Sequence, residues 1–320
     1  MTTTLKSAPA VSVGYLGPAG TFTHRIVLAD PALATLRHVP CADPGELVAR
    51  LGDGSVTYGV LAWENSVAGL VGPTADLLAG LGTGLGTGKA VDRSERSQVR
   101  LHRDVVIPVR FQLVGRHGAS PEALRTVSSH PHALDQCRAW LAEHAPRSSL
   151  VSAPSTTAAL ELALSDPTGR TAAVTPTAAR ASPLLSVLAD DIGETAAAET
   201  RFVVLGRDEP ARTGRERTVI ACFQQRDRPG SLMTVLEPFA GAGIDLLRIE
   251  SRPTRDGLGR FYFLIEWRGH PDDQPSRAVL RELAERAVRV RVLGTFDEPN
   301  PSRPTPSRPA AARRSPAPLS

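Results

Sequence analysis

The sequence predicts an α/β protein in which helices flank a mostly parallel sheet, followed by a smaller unit in βαββαβ order. Three observations carry that reading. Short apolar runs alternate with helix-period segments from residue 11 to residue 206, the pattern of layered α/β folds. A charged stretch at residues 206–217, containing Pro210 and Gly214, interrupts the alternation as a linker would. Beyond it the order changes, and two strands follow one another without a helix between them.

Residues 11–16 make an apolar run that stops at Gly17-Pro18, so a strand feeds a loop and then a helix from about Gly20. Asp43, Pro44 and Glu46 supply an N-cap, a first-turn proline and a capping-box glutamate for the next helix. Residues 58–63 read as a strand running into polar Glu64-Asn65-Ser66. Ser120-Pro121-Glu122 opens a further helix, residues 126–129 are strand-like, and residues 131–144 read as one helix. A helix over 156–164 and strands over 171–174 and 202–205 continue the alternation. Ligands of such sheets sit at the carboxyl ends of strands, which is where the polar residues after Leu16 and Trp63 fall. Thr200-Arg201 precedes its apolar run instead, so it must reach such a site from a crossing segment.

After the linker come a strand at 218–224, a helix from Pro229, strands at 244–253 and 260–267, a helix at 275–287 and a strand at 288–293. The second helix places Val279, Leu280, Leu283 and Ala284 on one face. Strand 260–267 alternates Phe261, Phe263, Ile265 and Trp267 on one side. This is a ferredoxin-like unit of about 80 residues.

The 320 residues allow two or three domains, and a 41% hydrophobic content fills ordinary cores. The net charge of +4 is matched by Arg303, Arg308, Arg313 and Arg314 in residues 299–320, a stretch without acids. That Pro-, Ser- and Ala-rich tail reads as a disordered appendage, and no basic stripe on a folded face suggests nucleic acid. Cys41, Cys137 and Cys222 are widely spaced and form neither a disulfide framework nor a zinc pattern. The first residues lack the apolar run of a signal peptide, and no long uncharged apolar stretch follows. A cytoplasmic protein with no membrane partner is expected.

Several segments can carry chemistry. Gly17-Pro-Ala-Gly-Thr-Phe-Thr23 precedes a helix, where free N–H groups favour an anion and Thr21 and Thr23 add hydroxyl donors. A plain N-capping turn explains the same residues. Glu64, Asn65 and Ser66 could orient a substrate or simply cap a turn. Arg201 could grip a carboxylate bidentately or form a surface ion pair. Ser155-Thr156-Thr157 begins a helix, and capping explains Ser155 equally well. His24 and His130 read as caps or structural hydrogen bonders. The run Gly82–Lys89 is not a phosphate loop, because Thr83 and Ala90 stand where glycine and a hydroxyl residue are required.

Taken together, Gly17–Thr23, Glu64-Asn-Ser-Val-Ala-Gly69, Ser129-His130-Pro131, Glu199-Thr-Arg-Phe-Val-Val204 and Glu250-Ser-Arg-Pro253 resemble the prephenate dehydratase family from about Val11 to Phe296. The resemblance implies a two-lobed, periplasmic-binding-protein-like catalytic domain at residues 11–206 and an ACT regulatory domain at 217–296. It implies loss of carbon dioxide and the ring hydroxyl from prephenate to give phenylpyruvate for phenylalanine synthesis, with no cofactor and no metal. Thr200 matches the catalytic threonine, a hydrogen-bond donor to developing negative charge rather than an acid. Thr21, Thr23, Glu64, Asn65, Ser66, Ser155, Arg201 and Phe202 fall in the substrate-binding set, with Phe202 a packing group within it. Pro229, Gly230, Ser231, Leu232 and Glu250, Ser251, Arg252, Pro253 match the phenylalanine-binding motifs of a homodimer or homotetramer.

Some residues depart from the family pattern. Ala68 replaces an acid, Leu70 a small hydroxyl residue and Ala197 an asparagine, and the segment 82–98 is long. These leave open a non-aromatising prephenate decarboxylase, an inactive amino-acid-responsive regulator, or arogenate as substrate. Retention of Glu64-Asn65-Ser66, Thr200 and Arg201 favours the dehydratase.

Overall fold

A computed structural model describes residues 11–81, 99–176, 183–195, 198–224, 228–286 and 288–297. The expectations for the tail, for the 82–98 segment and for Ala197 lie outside the described residues.

The first lobe begins with β1 (Ser12–Leu16), α1 (Phe22–Ala29), α2 (Pro31–Ala34), β2 (Arg37–Cys41), α3 (Pro44–Gly52), β3 (Tyr58–Asn65), the short β4 (Gly69–Leu70) and α4 (Gly72–Leu78). Its strand β5 (Arg100–Pro108) leads across to the second lobe. There follow β6 (Phe111–Arg116), β7 (Thr126–Ser129), α5 (Pro131–Asp135), α6 (Arg138–His144), β8 (Ser149–Ser152), α7 (Thr156–Ser165), β9 (Thr171–Pro176) and β10 (Leu185–Ala189). The chain then returns to the first lobe through β11 (Glu199–Gly206). The C-terminal unit runs β12 (Glu216–Gln224), α8 (Ser231–Gly241), β13 (Leu246–Pro253), β14 (Phe261–Arg268), α9 (Gln274–Glu285) and β15 (Val288–Asp297).

Local chemistry explains the starts. Asp43 Oδ1 accepts the Glu46 N–H at 2.9 Å, and Glu46 Oε2 accepts the Ala42 N–H at 2.6 Å, so the capping pair forms around Pro44. Two expectations were too generous. Residues 121–123 make only a 3-10 turn, and the 131–144 helix breaks at Cys137, whose backbone is not helical. Helix α3 lies hard against the sheet: a Cβ on Gly59 would come 2.9 Å from Leu47 Cδ1.

The sheets are mixed rather than mostly parallel. Within each lobe the β–α–β strands are parallel, β1 with β2 and β3, and β7 with β8 and β9. The strands that cross between lobes run the other way: β11 is antiparallel to β3 and β5, and β6 is antiparallel to β9 and β10. A chain that leaves one lobe and returns must enter both sheets against the local direction.

The first-lobe and C-terminal strands form one ten-stranded sheet, β13-β14-β12-β15-β5-β11-β3-β1-β2 with β4 paired beside β3, joined where Gly294 of β15 meets Leu101 of β5. The second lobe has its own five-stranded sheet. The C-terminal unit packs α8 and α9 on one face through Val235, Phe239, Ile265, Trp267, Val279 and Leu283. Its other face shares a core with the first lobe, where Tyr262, Leu264 and Phe296 join Trp63, Val203 and Leu205. Among the described residues, no helix is long and apolar enough to cross a membrane.

Candidate active site

Strand β11 is where the predicted residues converge, and a bulge decides which way each points. Thr200 pairs with Asn65 and Arg201 with Glu64, but Phe202 pairs with Ala62, so Trp63 is the extra residue. Thr200 shares its side of the strand with Phe202 and Val204, which pack beneath α1. Arg201 shares the other side with Val203 and Leu205, which face the C-terminal unit. The bulge re-aims Glu64 to the same side as Arg201, a common use of an inserted residue.

Thr200 is held in one hydrogen-bonding role. Asn65 Oδ1 accepts the N–H groups of Val67 and Ala68, each at 2.9 Å, which fixes the orientation of its amide. The other end, Nδ2, donates to Thr200 Oγ1 at 3.0 Å. The Thr200 oxygen is therefore an acceptor here, and its own O–H stays available for a further acceptor. Ser66 rivets this turn to β11: its Oγ accepts the Glu199 N–H, and its N–H donates to the Glu199 carbonyl, both at 2.9 Å. Thr200 is 8% exposed.

Thr21 turns out to be an N-cap. Its hydroxyl donates to the Leu16 carbonyl at 2.8 Å and accepts the His24 N–H at 3.4 Å. Thr23 is half-buried. The Gly20 N–H donates to His24 Nδ1 at 3.0 Å, which places the His24 proton on Nε2, 3.2 Å from His38 Nδ1. Burial and the neighbouring His38 lower the His24 pKa. Ser155 caps α7 by accepting the Ala158 N–H at 3.0 Å, and His130 caps α5 by accepting the His132 N–H.

Arg201 forms an ion pair, one of its two expected roles, but a largely buried one rather than one at the surface. Its guanidinium makes two bonds to Glu266 of β14, at 3.0 and 2.8 Å, and its Nε lies 3.3 Å from Glu64. It is engaged by carboxylates of the protein on the face away from Thr200. Phe202 likewise packs in the core, edge-on to Phe22. Glu64 also pairs with Arg248 of β13, and Arg217 of β12 joins Glu266 and Asp104 at 3.2 and 2.6 Å. Three guanidinium groups and three carboxylates thus form one buried, charge-balanced cluster. Burial alone would raise the Glu266 pKa, but Arg201, Arg217 and Arg248 hold it below the usual range. Asp104 goes the other way, because its burial outweighs the pull of Arg217 and Arg201.

Sequence reasoning passed over Arg25. It lies on α1 one turn after Phe22, with its guanidinium 5.4 Å from that ring's centroid. Phe22 packs against the cores of both lobes, so this is the junction between them. Arg25 Nε and Nη1 are buried and meet no hydrogen-bond partner among the described residues, and burial lowers its pKa. The signal available was a cation on the inward face of α1, with no acid three or four residues away. Glu266 was also legible, as the one acid in the inner alternation Tyr262, Leu264, Glu266.

The expected effector motifs both belong to the C-terminal unit, one at the start of α8 and one on β13. Gly230 caps α8 with φ 87°, a left-handed conformation that suits glycine, and Ser231 Oγ accepts the Arg228 N–H at 3.0 Å. Leu232 is exposed, and Glu250, Ser251 and Pro253 lie along β13. Arg252 reaches the first lobe instead: buried Asp76 of α4 takes its Nε at 2.7 Å, together with Arg255 and the Tyr262 hydroxyl. Burial would raise the Asp76 pKa, but these donors and charges lower it. A cavity of about 300 Å³ lined by Arg100, Glu209, Arg277 and Phe296 lies at another joint, and none of the predicted substrate residues lines it.

The site therefore offers a positioned hydroxyl, a helix start and a half-buried guanidinium, a set suited to anions and to a departing oxyanion. Comparison with known proteins is consistent with this chemistry. A family described as prephenate dehydratase matches residues 13–210, and one described as ACT domain matches residues 218–287. A prephenate dehydratase of Mycobacterium tuberculosis is 36% identical over 299 residues, covering 89% of this chain and 87% of that one. A bifunctional chorismate mutase/prephenate dehydratase of Aquifex aeolicus is 31% identical over 286 residues, covering 89% and 73%. The crystal structure of an Arthrobacter aurescens prephenate dehydratase in complex with L-Phe superposes with a TM-score of 0.76 at 34% identity, covering 90% of each chain.

Proposed function

The chain belongs to the prephenate dehydratase family and carries a C-terminal ACT domain, and on that premise we propose how its residues perform the reaction. It is a lyase that converts prephenate to phenylpyruvate, carbon dioxide and water. The bond between the ring and its carboxylate breaks, its electron pair enters the ring, and the ring hydroxyl leaves as hydroxide that takes up a proton. Aromatisation supplies the driving force. The protein has to hold two carboxylates and ease the departure of one oxygen.

Prephenate binds between the lobes. Thr200 donates its free O–H to the departing oxygen as negative charge grows there, while Asn65 keeps that hydroxyl in the donor role. The Asn65–Thr200 hydrogen bond is the observation that carries this reading. Arg25, rather than the engaged Arg201, receives a carboxylate at the lobe junction, supported by Thr23 and the start of α1. Glu64, Ser66 and Arg201 shape the site from behind by holding the turn and the strand.

L-phenylalanine regulates the enzyme through the ACT domain, bound by Pro229–Leu232 and Glu250–Pro253. The outer edge of the sheet is β13, with Ile249, Leu258 and Phe261 exposed near it. A second copy pairing along that edge gives a homodimer or homotetramer and completes the effector site. The protein works in the cytoplasm.

The test is turnover of prephenate by purified protein, with products separated by chromatography and identified by ultraviolet spectrum. Phenylpyruvate above the uncatalysed rate is expected. A non-aromatic decarboxylated product, or no turnover, overturns the reading.

A further inference from the structure

We infer that Glu266 and Arg248, both in the ACT domain, are positioning residues for the catalytic threonine: they clamp the two residues adjacent to the Asn65–Thr200 pair. Arg201 directly follows Thr200, and Glu64 directly precedes Asn65. Arg201 is bound twice by Glu266. Glu64 is bound by Arg248 through one oxygen and lies 3.3 Å from Arg201 through the other. The two strands that must stay in register for Asn65 to reach Thr200 are thus held at that point by another domain.

Adhesion between the domains does not require these charges. The shared apolar core of Trp63, Val203, Leu205, Tyr262 and Leu264 already joins them. The ion cluster adds direction, because planar guanidinium–carboxylate pairs accept a narrow range of geometries. Glu266 is 2% exposed, so it cannot exchange these partners for water.

The cluster also reaches the effector motif. Arg248 stands two residues before Glu250 on β13, so both side chains lie on the same face of one strand. A ligand that shifts β13 shifts Arg248 relative to Glu64, and Glu64 already lies between two cations. One oxygen meets Arg248 and the other Arg201, so a displacement of Arg248 changes how Glu64 holds the residue next to Thr200. This step rests on the dehydratase reading above.

The experiment compares Glu266→Gln and Arg248→Lys with Arg103→Gln in the full-length protein. Arg103 makes an equally well-formed pair with Asp30, at 2.7 and 2.8 Å, inside the first lobe and outside the cluster. Measured quantities are kcat, KM for prephenate, melting temperature, phenylalanine binding by calorimetry and the response of kcat to phenylalanine. For Glu266→Gln, kcat is expected to fall about tenfold with KM changed less, and bound phenylalanine no longer to alter kcat. Arg248→Lys keeps the charge and part of the activity but loses much of the response. Arg103→Gln lowers the melting temperature alone. If Glu266→Gln does not fold, Arg248→Met, a change at a more accessible site, takes its place. Equal loss of kcat in the Arg103 and Glu266 variants, or an intact phenylalanine response in the folded cluster variants, overturns the inference. Absence of turnover in the wild type would instead sink the dehydratase reading.

Discussion

The first lobe has two seams, one toward the second lobe and one toward the ACT domain, and they are built on opposite principles. The seam with the second lobe is thin. The lobes keep separate sheets and separate cores, bridged by the Phe22 ring and by two chain crossings. Beyond the β5–β11 ladder the crossings are joined by the backbone hydrogen bond from Val109 N–H to the Ala198 carbonyl, at 2.7 Å. The seam with the ACT domain is continuous: one sheet, one shared core and two buried ion clusters, around Glu266 and Asp76. A seam that admits a substrate must carry few contacts, whereas one that transmits a strand shift must be stiff. Strand β11 belongs to both, with Thr200 on one face and Arg201 on the other.

The sharpest way to break this comparison is at Thr200. Thr200→Val keeps the shape and removes the hydroxyl, and kcat is expected to drop about a hundred- to a thousand-fold, the usual cost of one oxyanion-stabilising donor. Phenylalanine binding and melting temperature should stay close to wild type, since the ACT seam is untouched. Stopped-assay kinetics with calorimetry on the same preparation decide the matter. A Thr200→Val enzyme with wild-type kcat would remove the threonine from the chemistry.

A smaller effect is expected across the thin seam. Arg25 faces Phe22 at the lobe junction, and its Nε and Nη1 meet no hydrogen-bond partner among the described residues. Arg25→Gln should raise KM for prephenate about tenfold or more with kcat nearly kept, because a charge-assisted bond to a substrate carboxylate acts in ground and transition states alike. Removing a half-buried cation whose Nε and Nη1 lack hydrogen-bond partners among the described residues should also leave the melting temperature unchanged or raise it. A lowered melting temperature with unchanged KM would make Arg25 a structural residue.

Much of this was written locally in the sequence. The Asp43–Glu46 capping pair, the βαββαβ order and the side of strand 260–267 that carries Phe263, Ile265 and Trp267 follow from residue type and spacing. Long-range geometry was not legible. No spacing rule announces the extra residue at Trp63, yet that bulge sends Glu64 to the Arg201 side. The partner of Arg201 was out of view for the same reason: Glu266 lies 65 residues away. The break of helix 131–144 at Cys137 was hidden for a related reason: Leu134, Cys137 and Leu141 keep the i, i+3, i+7 spacing of one continuous helical face, and nothing in that spacing announces the non-helical backbone of Cys137.

The smallest expected effect concerns pH and again separates the seams. His24 stacks on Tyr15 and accepts the Gly20 N–H through Nδ1, so it must be neutral there for the Gly17–Thr23 loop to keep its shape. Its pKa is lowered by burial and His38, so the neutral form persists below the ordinary histidine range. The sign follows directly. Substrate binding is intact at neutral pH and weakens as pH falls through the lowered value, where a protonated Nδ1 can no longer accept. KM for prephenate should rise a few-fold on that acid limb, measured after subtracting uncatalysed conversion, and His24→Gln should flatten it. The Glu266 cluster should not follow the same curve. The Glu266 carboxyl, held below its usual range by three arginines, stays charged across the histidine range, and Asp104, whose pKa burial raises, is paired with Arg217 rather than with Arg248 on β13. Phenylalanine binding should therefore hold steady across the pH interval in which KM changes. If KM and phenylalanine affinity moved together, the loop before α1 and the ACT seam would be one device rather than two.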